Sequence, residues 1–426
     1  MLSSAILVTT SAVAAHYAAF PYPQVNHLQA EHPPGRAAGA LDWLLRRRGR
    51  RAFSGRHLRI WVAGCGTRQA AQVALAFPGH EILATDVSGP SLRIARSLAR
   101  QLHLRNVRFE RADLLDTSGR GFDLIFCTGV LHHLTDPAAG LRVVRRALRP
   151  DGAAVLMLYS RVHRMGFEHF RQGLSAFTGG PRDPRTAAWL LRALLSSRCR
   201  PVAADVLGEV HRRRHRDAPT FADTLLHPRE RAWDIDELMG FVHDGGLRFA
   251  NWVRPTEWAP KRYLAGAGMR AALARLAPRD RWRIVYWLGR HASPLFRFIA
   301  ERAGPGRAPD WTDAELARLR VAGVASRILH RVRDGRVTGS RRVRVVVSRG
   351  ATLTVRFEPL QSEPEAIRLP RTLAPLLERA APGALVSELL PLGGGRRATL
   401  GTVRALLDVG FLVPLGPPPA PHQLLD

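Results

Sequence analysis

Two glycines with one residue between them, Gly64 and Gly66, stand in the stretch Trp61-Val62-Ala63-Gly64-Cys65-Gly66-Thr67-Arg68-Gln69, between a short apolar run and a helical pattern. Glycine lets the backbone turn tightly and approach a ligand closely, and a helix opening behind such a turn offers its free N–H groups. The next acidic residue at the end of a strand pattern, Asp86, arrives where a nucleotide ribose needs a carboxylate. Asp113 follows the third strand pattern, and the pair His132-His133 follows the fourth. Arg68 is the anomaly, because a third glycine is the easy choice there.

A dinucleotide fingerprint requires a third glycine after two intervening residues, and Gln69 occupies that place. S-adenosylmethionine makes different demands. It has no pyrophosphate, so the turn needs only to admit an amino-acid moiety and a ribose. Asp86 can accept both ribose hydroxyls, and Asp113 can accept from the adenine amino group. Hydrogen bonds to charged groups contribute about 1.5–3 kcal/mol each, a substantial part of the roughly 8 kcal/mol behind micromolar binding.

The elements that must carry these residues alternate strand and helix from His57 to Ser160, which calls for a parallel sheet. The strands expected are Leu58–Ala63, Glu81–Thr85, Asn106–Arg111, Phe122–Cys127 and, after the turn Pro150-Asp151-Gly152, Ala153–Tyr159. Ser88 is placed to cap one helix ahead of Pro90, and Asp136 another ahead of Pro137.

These elements together resemble a class I S-adenosylmethionine-dependent methyltransferase over residues 57–160. The resemblance is carried by Ala63-Gly64-Cys65-Gly66-Thr67, Ala84-Thr85-Asp86-Val87-Ser88, Arg111-Ala112-Asp113-Leu114 and, most specifically, Phe122-Asp123-Leu124-Ile125-Phe126-Cys127-Thr128-Gly129-Val130-Leu131-His132-His133-Leu134 ahead of Leu148-Arg149-Pro150-Asp151-Gly152. It implies a Rossmann-like α/β sheet with helices on both faces. It also implies S-adenosyl-L-methionine held by Ala63, Gly64, Cys65, Gly66, Asp86, Val87, Ala112, Asp113, Leu114, Thr128 and Gly129. Phe20-Pro21-Tyr22-Pro23 and Leu226-His227-Pro228-Arg229-Glu230-Arg231 are similar to the flanks of a bacterial branch of these enzymes. Two positions depart from the pattern. Ala63 replaces the usual acidic residue before the first glycine, and Arg68 replaces the third glycine.

Because the sulfonium already activates the methyl group, such an enzyme mainly holds a nucleophile in line, and the acceptor is not written in the motif. His132 and His133 fall where the acceptor should approach, and either is a candidate general base; the alternative is a structural role in the pocket wall. Asp86 and Asp113 equally have bland readings, as a helix cap and a turn residue. The Asn/Asp-Pro-Pro-Tyr type of motif used on exocyclic amines of bases is absent after the fourth strand, where Cys127-Thr128-Gly129-Val130 stands.

Beyond Ser160 the pattern is mainly helical, and residues 161–235 are expected to form a helical cap over the acceptor site. A capped helix after Asp234 and two late strands, Leu247–Val253 and Leu295–Ala300, complete a methyltransferase domain spanning 56–304, behind an N-terminal segment or cap at 1–55. His27 and His32 in that segment are placed as guesses for covering the site. Gly304-Pro305-Gly306-Arg307-Ala308-Pro309 marks a linker, residues 305–310. A small accessory α+β domain, winged-helix-like in its order, follows at 311–426, with a hairpin of Arg341–Val347 and Thr352–Glu358 and a Pro-rich tail from Gly416.

The formal charge of +29 implies affinity for something anionic, with Arg46-Arg47-Arg48-Gly49-Arg50-Arg51 and His211-Arg212-Arg213-Arg214-His215-Arg216 its densest points. No aromatics interleave with these runs as in a base-stacking platform. Cys65, Cys127 and Cys199 give neither a disulfide framework nor metal-ligand spacing, so no metal is expected. The apolar start Met1–Ala19 lacks the positive n-region of a signal peptide, and no apolar run reaches a membrane span. The expectation is a cytoplasmic enzyme acting on a small-molecule, carrier-bound or peptide-bound acceptor. RNA or protein methylation through the basic surface, and a non-catalytic scaffold that keeps the fold, are the alternatives.

Overall fold

The structure, a computed structural model, describes residues 12–23, 27–32, 57–179, 183–197, 204–213, 217–260, 264, 266–288, 295–302, 313–323, 326–333, 335–349, 353–357, 366–369, 373–380, 382–392, 395–408 and 412–414. The run Arg46–Arg51, the residues Arg214-His215-Arg216, Cys199, the linker 305–310 and the tail from Gly416 lie outside the described residues.

An N-terminal helix over residues 12–19 precedes a strand β1, His27–His32. The alternating region then gives β2 (Arg59–Ala63), β3 (Glu81–Asp86), β4 (Val107–Arg111), β5 (Phe122–Thr128) and β6 (Leu148–Ser160). These five pair in parallel in the order β4-β3-β2-β5-β6, with the buried apolar runs of β2, β5 and β6 inside and the more polar β4 at the edge. A short β7 (Ala232–Trp233) joins the side of β6. The strands β8 (Leu247–Trp252) and β9 (Leu295–Arg302) close the order as β6-β9-β8, both antiparallel to their neighbours. One expectation changes here. The Pro150-Asp151-Gly152 segment does not separate helix from strand; β6 already begins at Leu148, paired with Phe122, and a register shift between Phe122 and Leu124 absorbs the segment.

Side chains alternate across β2. Ile60 and Val62 face the helix Gln69–Ala76, while Trp61 and Ala63 face the side covered by the helices Pro137–Ala147 and Ile235–Asp244. Helix starts follow local chemistry. Ser88 accepts from the Ser91 N–H, Asp136 accepts from Ala138 and Ala139, and Asp234 with Glu237 forms a reciprocal capping box. Between Ser160 and β7 the described residues form four helices, Arg161–Thr178, Pro184–Leu195, Ala204–Arg213 and Ala218–Leu225. They enclose a small core of their own around Phe167, Phe170, Leu174, Leu191 and Phe221.

The C-terminal part departs from the domain division read from the sequence. The strands β10 (Arg320–Gly323), β11 (Ser326–Arg333), β12 (Arg336–Arg349), β13 (Leu353–Phe357), β14 (Ala366–Leu369), β15 (Ala384–Leu385) and β16 (Leu412–Pro414) form two further sheets. In one of them β1 pairs antiparallel with β11, His27 opposite Arg331 and His32 opposite Ser326. His27 and His32 thus belong to a C-terminal sheet, and the N-terminal segment is shared between two regions. The expected hairpin is present as β12 against β13. The helices Ala374–Ala380, Val386–Leu389 and Arg396–Asp408 pack Leu376, Val386, Leu389 and Val403 into the same buried cluster as Ile60, Val62 and Val73. The region after the linker therefore shares the main core rather than building a separate one.

Beside the packing of Val332 and Val337 on Leu98 and Leu102, one polar side chain ties the turn between β11 and β12 to the sheet domain. Gln101, at the end of the helix Gly89–Gln101, donates to the Gly335 carbonyl at 2.7 Å and accepts from the Val337 N–H at 3.0 Å. Gln101→Ala is expected to lower the unfolding free energy by about 1–3 kcal/mol, the sum of two ordinary hydrogen bonds, and to speed proteolysis within β12. An unchanged urea midpoint would show that the turn is held elsewhere.

Candidate active site

Strand order reverses between β2 and β5, which run outward from the middle of the sheet to either side, and such a switch point opens a crevice at the carboxyl ends of the strands. The glycine turn sits there. Gly64 and Gly66 have φ of +65° and +55°, values that side-chain-bearing residues rarely adopt. A Cβ on Gly64 would lie 2.3 Å from Val130 Cγ2, and one on Gly66 2.7 Å from the Tyr22 carbonyl oxygen. Arg68, by contrast, has φ −140° as the residue before the helix Gln69–Ala76. Its backbone makes no demand for glycine, and its side chain lies at the wall of the cavity described below.

Asp86 ends β3 beneath this turn. One carboxylate oxygen accepts from the Gly66 N–H and the other from the Ser88 N–H, both at 2.8 Å. Burial raises its pKa, and the two backbone donors oppose that shift. On the far side of the turn Gln69 donates to Thr128 Oγ1 at 2.6 Å, tying the turn to the end of β5. Asp113 accepts from the Leu115 N–H at 2.9 Å and shapes the loop after β4.

These groups line one cavity of about 820 Å³, in the upper part of the roughly 300–1,000 Å³ range of ligand pockets. Gly64, Cys65, Gly66, Asp86, Val87, Ala112, Asp113, Leu114, Thr128, Gly129 and His133 are all at its wall. Ala63 is not; it is fully buried inside β2. His132 is not either. It lies in the interior stacked on Tyr159 at 3.8 Å, both ring nitrogens without a partner among the described residues. That position corrects its reading as a candidate base.

Sequence reasoning missed most of the opposite wall. Val13 and Tyr17 come from the N-terminal helix, Tyr22 from the segment after it, and His163, Arg164, Phe167, Asp223 and Thr224 from the helices after β6. The signal was partly present in the flanks Phe20–Pro23 and Leu226–Arg231. The first is docked on the glycine turn, with Thr67 donating its N–H to the Tyr22 carbonyl and its hydroxyl to the Pro23 carbonyl. The second encloses the histidines: His133 Nδ1 lies 2.8 Å from the Arg229 carbonyl, and His227 stacks on His133 at 3.6 Å. Within it Glu230 accepts from both Arg164 and Arg171, a buried ionic network that fixes the helix Arg161–Thr178 over the cavity.

Asp223 receives the Tyr17 hydroxyl at 2.9 Å and faces that of Tyr159 at 3.5 Å. Burial pushes its carboxyl up to about 6, against the pull of Tyr17 and Arg164. His133 is held down at about 4 by burial, so it is neutral near pH 7. Its Nδ1–H faces a carbonyl, an arrangement that leaves Nε2 as the basic nitrogen.

The wall fits an adenosine-bearing methyl donor. A carboxylate with lone pairs to spare lies beneath two close-approach glycines, and a second carboxylate stands one strand further out. Comparison with known proteins agrees. Residues 61–154 match the methyltransferase domain family. The chain carries a class I S-adenosylmethionine-dependent methyltransferase domain. This methyltransferase domain is 33% identical over 103 residues to the uncharacterised methyltransferase YcgJ of Bacillus subtilis, covering 23% of this chain and 40% of YcgJ. A longer similarity, 27% identity over 330 residues, covers 71% of this chain and 74% of an uncharacterised protein of Synechococcus sp.. In fold, the chain is similar to PKMT2 from Rickettsia typhi in complex with AdoHcy, with a TM-score of 0.60 and 14% identity over 94% of this chain and 78% of that one. The chain covers less than two thirds of the length of YcgJ.

His16, His132, His133 and His227 form one cluster of ring-to-ring contacts behind the cavity wall, and burial lowers the pKa of each. Their sign is fixed: the stability they permit is full above pH 6.5 and is lost as pH falls toward 4. For His133 alone a shift from 6.5 to about 4 corresponds to about 3 kcal/mol. Asp223 runs the other way, its contribution being lost as pH rises through 6. Net acid loss is therefore expected between pH 6.5 and 4 in thermal melts. His132→Phe, which keeps the stack on Tyr159, is expected to leave stability at pH 8 nearly unchanged and to make that loss shallower. An identical pH profile in this variant would show that His132 is not held neutral.

Proposed function

We propose that the chain is a cytoplasmic enzyme that moves a methyl group from S-adenosylmethionine to a small, carrier-bound or peptide-bound acceptor entering the same cavity. The observation that carries this reading is the continuity of the wall: the Gly64–Gly66–Asp86 side and the capping residues Tyr17, Arg164 and Asp223 enclose one space. When bound, the donor supplies an activated methyl on a sulfonium. The chain's own residues hold the ribose at Asp86, keep water out with the helices after β6, and position the acceptor.

Two groups in the wall are placed to take a proton. Asp223, raised to about 6, is the nearer of the two to neutrality, where a general base is most effective, while His133, held at about 4 with a nitrogen to spare, is the weaker base. A recessed cavity favours small acceptors over folded RNA.

Calorimetry tests the donor site. Asp86→Asn removes a charge-assisted contact of about 1.5–3 kcal/mol and is expected to weaken S-adenosylmethionine binding ten- to a hundredfold. Unchanged affinity would refute the placement of the ribose. Transfer to small acceptors is expected to be nearly insensitive to salt, whereas a steep fall would favour nucleic acid.

A further inference from the structure

Residues 12–23 lie against the glycine turn, and two of their anchors are side chains outside the cavity wall. Thr67 donates its N–H to the Tyr22 carbonyl at 3.3 Å and its hydroxyl to the Pro23 carbonyl. Ser88 donates its hydroxyl to the Tyr17 carbonyl at 3.1 Å, while its N–H goes to Asp86. Thr67 and Ser88 are buried behind the wall, whereas Val13, Tyr17, Tyr22 and Pro23 form part of it. Gly66 serves the same contact, since a Cβ there would lie 2.7 Å from the Tyr22 carbonyl oxygen. The segment therefore follows the donor side of the cavity, with Tyr17 beside the Asp86 turn and Tyr22 and Pro23 beside the Gly66 turn.

The order of this segment depends on its docking. Isolated helices shorter than about 12–15 residues are marginal in water, and the N-terminal helix spans only residues 12–19. Further contacts are the Tyr17 hydroxyl on Asp223, the His16 ring on His227, and Phe20 against the small core of the helices after β6. None of residues 12–23 is fully buried, and segments with little buried surface open at low free-energy cost. Val13 and Tyr17 stand four residues apart on one face of the helix, and Tyr22 and Pro23 continue the same wall. A ligand in the cavity covers these side chains only while the segment is docked. Docking and binding must then favour each other, because such coupling is reciprocal.

We propose that residues 12–23 dock over S-adenosylmethionine as the outer wall of its site, and that Thr67 is a positioning residue acting on donor affinity through this segment. The proposal rests on the reading of this cavity as the donor site. It gives the Thr67 hydroxyl, which lies behind the wall, a part in holding the ligand in front of it.

The test is backbone hydrogen exchange, read by mass spectrometry on the full chain with and without saturating S-adenosylhomocysteine. On binding, exchange over residues 12–22 is expected to slow at least fivefold more than exchange over the helix Arg396–Asp408. Slowing at the glycine turn without slowing at residues 12–22 would overturn the proposal while leaving the donor site standing. Failure of the parent protein to bind S-adenosylhomocysteine would remove the donor reading and the proposal together. Thr67→Val is expected to weaken S-adenosylhomocysteine binding at least fivefold, mostly by faster dissociation, and to speed exchange over residues 12–22. Thr67→Ser, which keeps the hydroxyl, is expected to behave as the parent does. Unchanged affinity in Thr67→Val, an equal loss in Thr67→Ser, or a loss with no change in exchange over residues 12–22 would each overturn the role of Thr67.

Discussion

The carboxylate of Asp86 is the constraint on which the site depends. By accepting from Gly66 on one oxygen and Ser88 on the other, it joins the turn after β2 to the turn after β3. Burial works against its charge, and the two backbone donors compensate. A carboxylate held this way is already oriented when a ligand arrives, so little ordering remains to be done on binding. The neighbouring Ser88 extends the arrangement outward. Its hydroxyl accepts from Ser91 to start a helix and donates to the Tyr17 carbonyl of the N-terminal helix.

Around that centre the molecule spends its polar groups on closing the cavity. Glu230 draws Arg164 and Arg171 together, and the Arg164 guanidinium lies over the Tyr159 ring at 4.0 Å. Removal of one member of such a buried network leaves uncompensated charge behind, which is why it acts as a clamp rather than as a surface decoration. The stacked histidines behind it are neutral and behave as flat apolar fillers between the clamp and the N-terminal helix.

The strands, the helix caps and the glycine-turn side of the cavity were legible because they depend on local chemistry. Gly64, Gly66, Asp86 and Asp113 are recognisable from residue type and position along alternating elements, and Ser88 and Asp136 cap the helices that their sequence contexts suggest. The opposite wall was not legible, since Tyr17, Arg164 and Asp223 come together only through long-range packing and carry no spacing between them. His132 and His133 illustrate the limit sharply. Adjacent in sequence and identical in type, one faces the cavity and the other the interior, a distinction made by the short helical turn Leu131–His133. The division of the chain failed for a related reason, because a linker-like composition says nothing about whether the segments it joins share a core.

The pairing of β1 with β11 sets a condition on the order of events at the ribosome. His27 finds its partner Arg331 only after some 300 further residues have been made. At about 5–20 residues per second, that strand leaves the ribosome roughly 15–60 s before the chain that pairs with it. Throughout that interval its hydrogen-bonding edge is open to any other nascent chain. The protein is thus most exposed to mispairing during synthesis, and slowing translation lengthens that exposure.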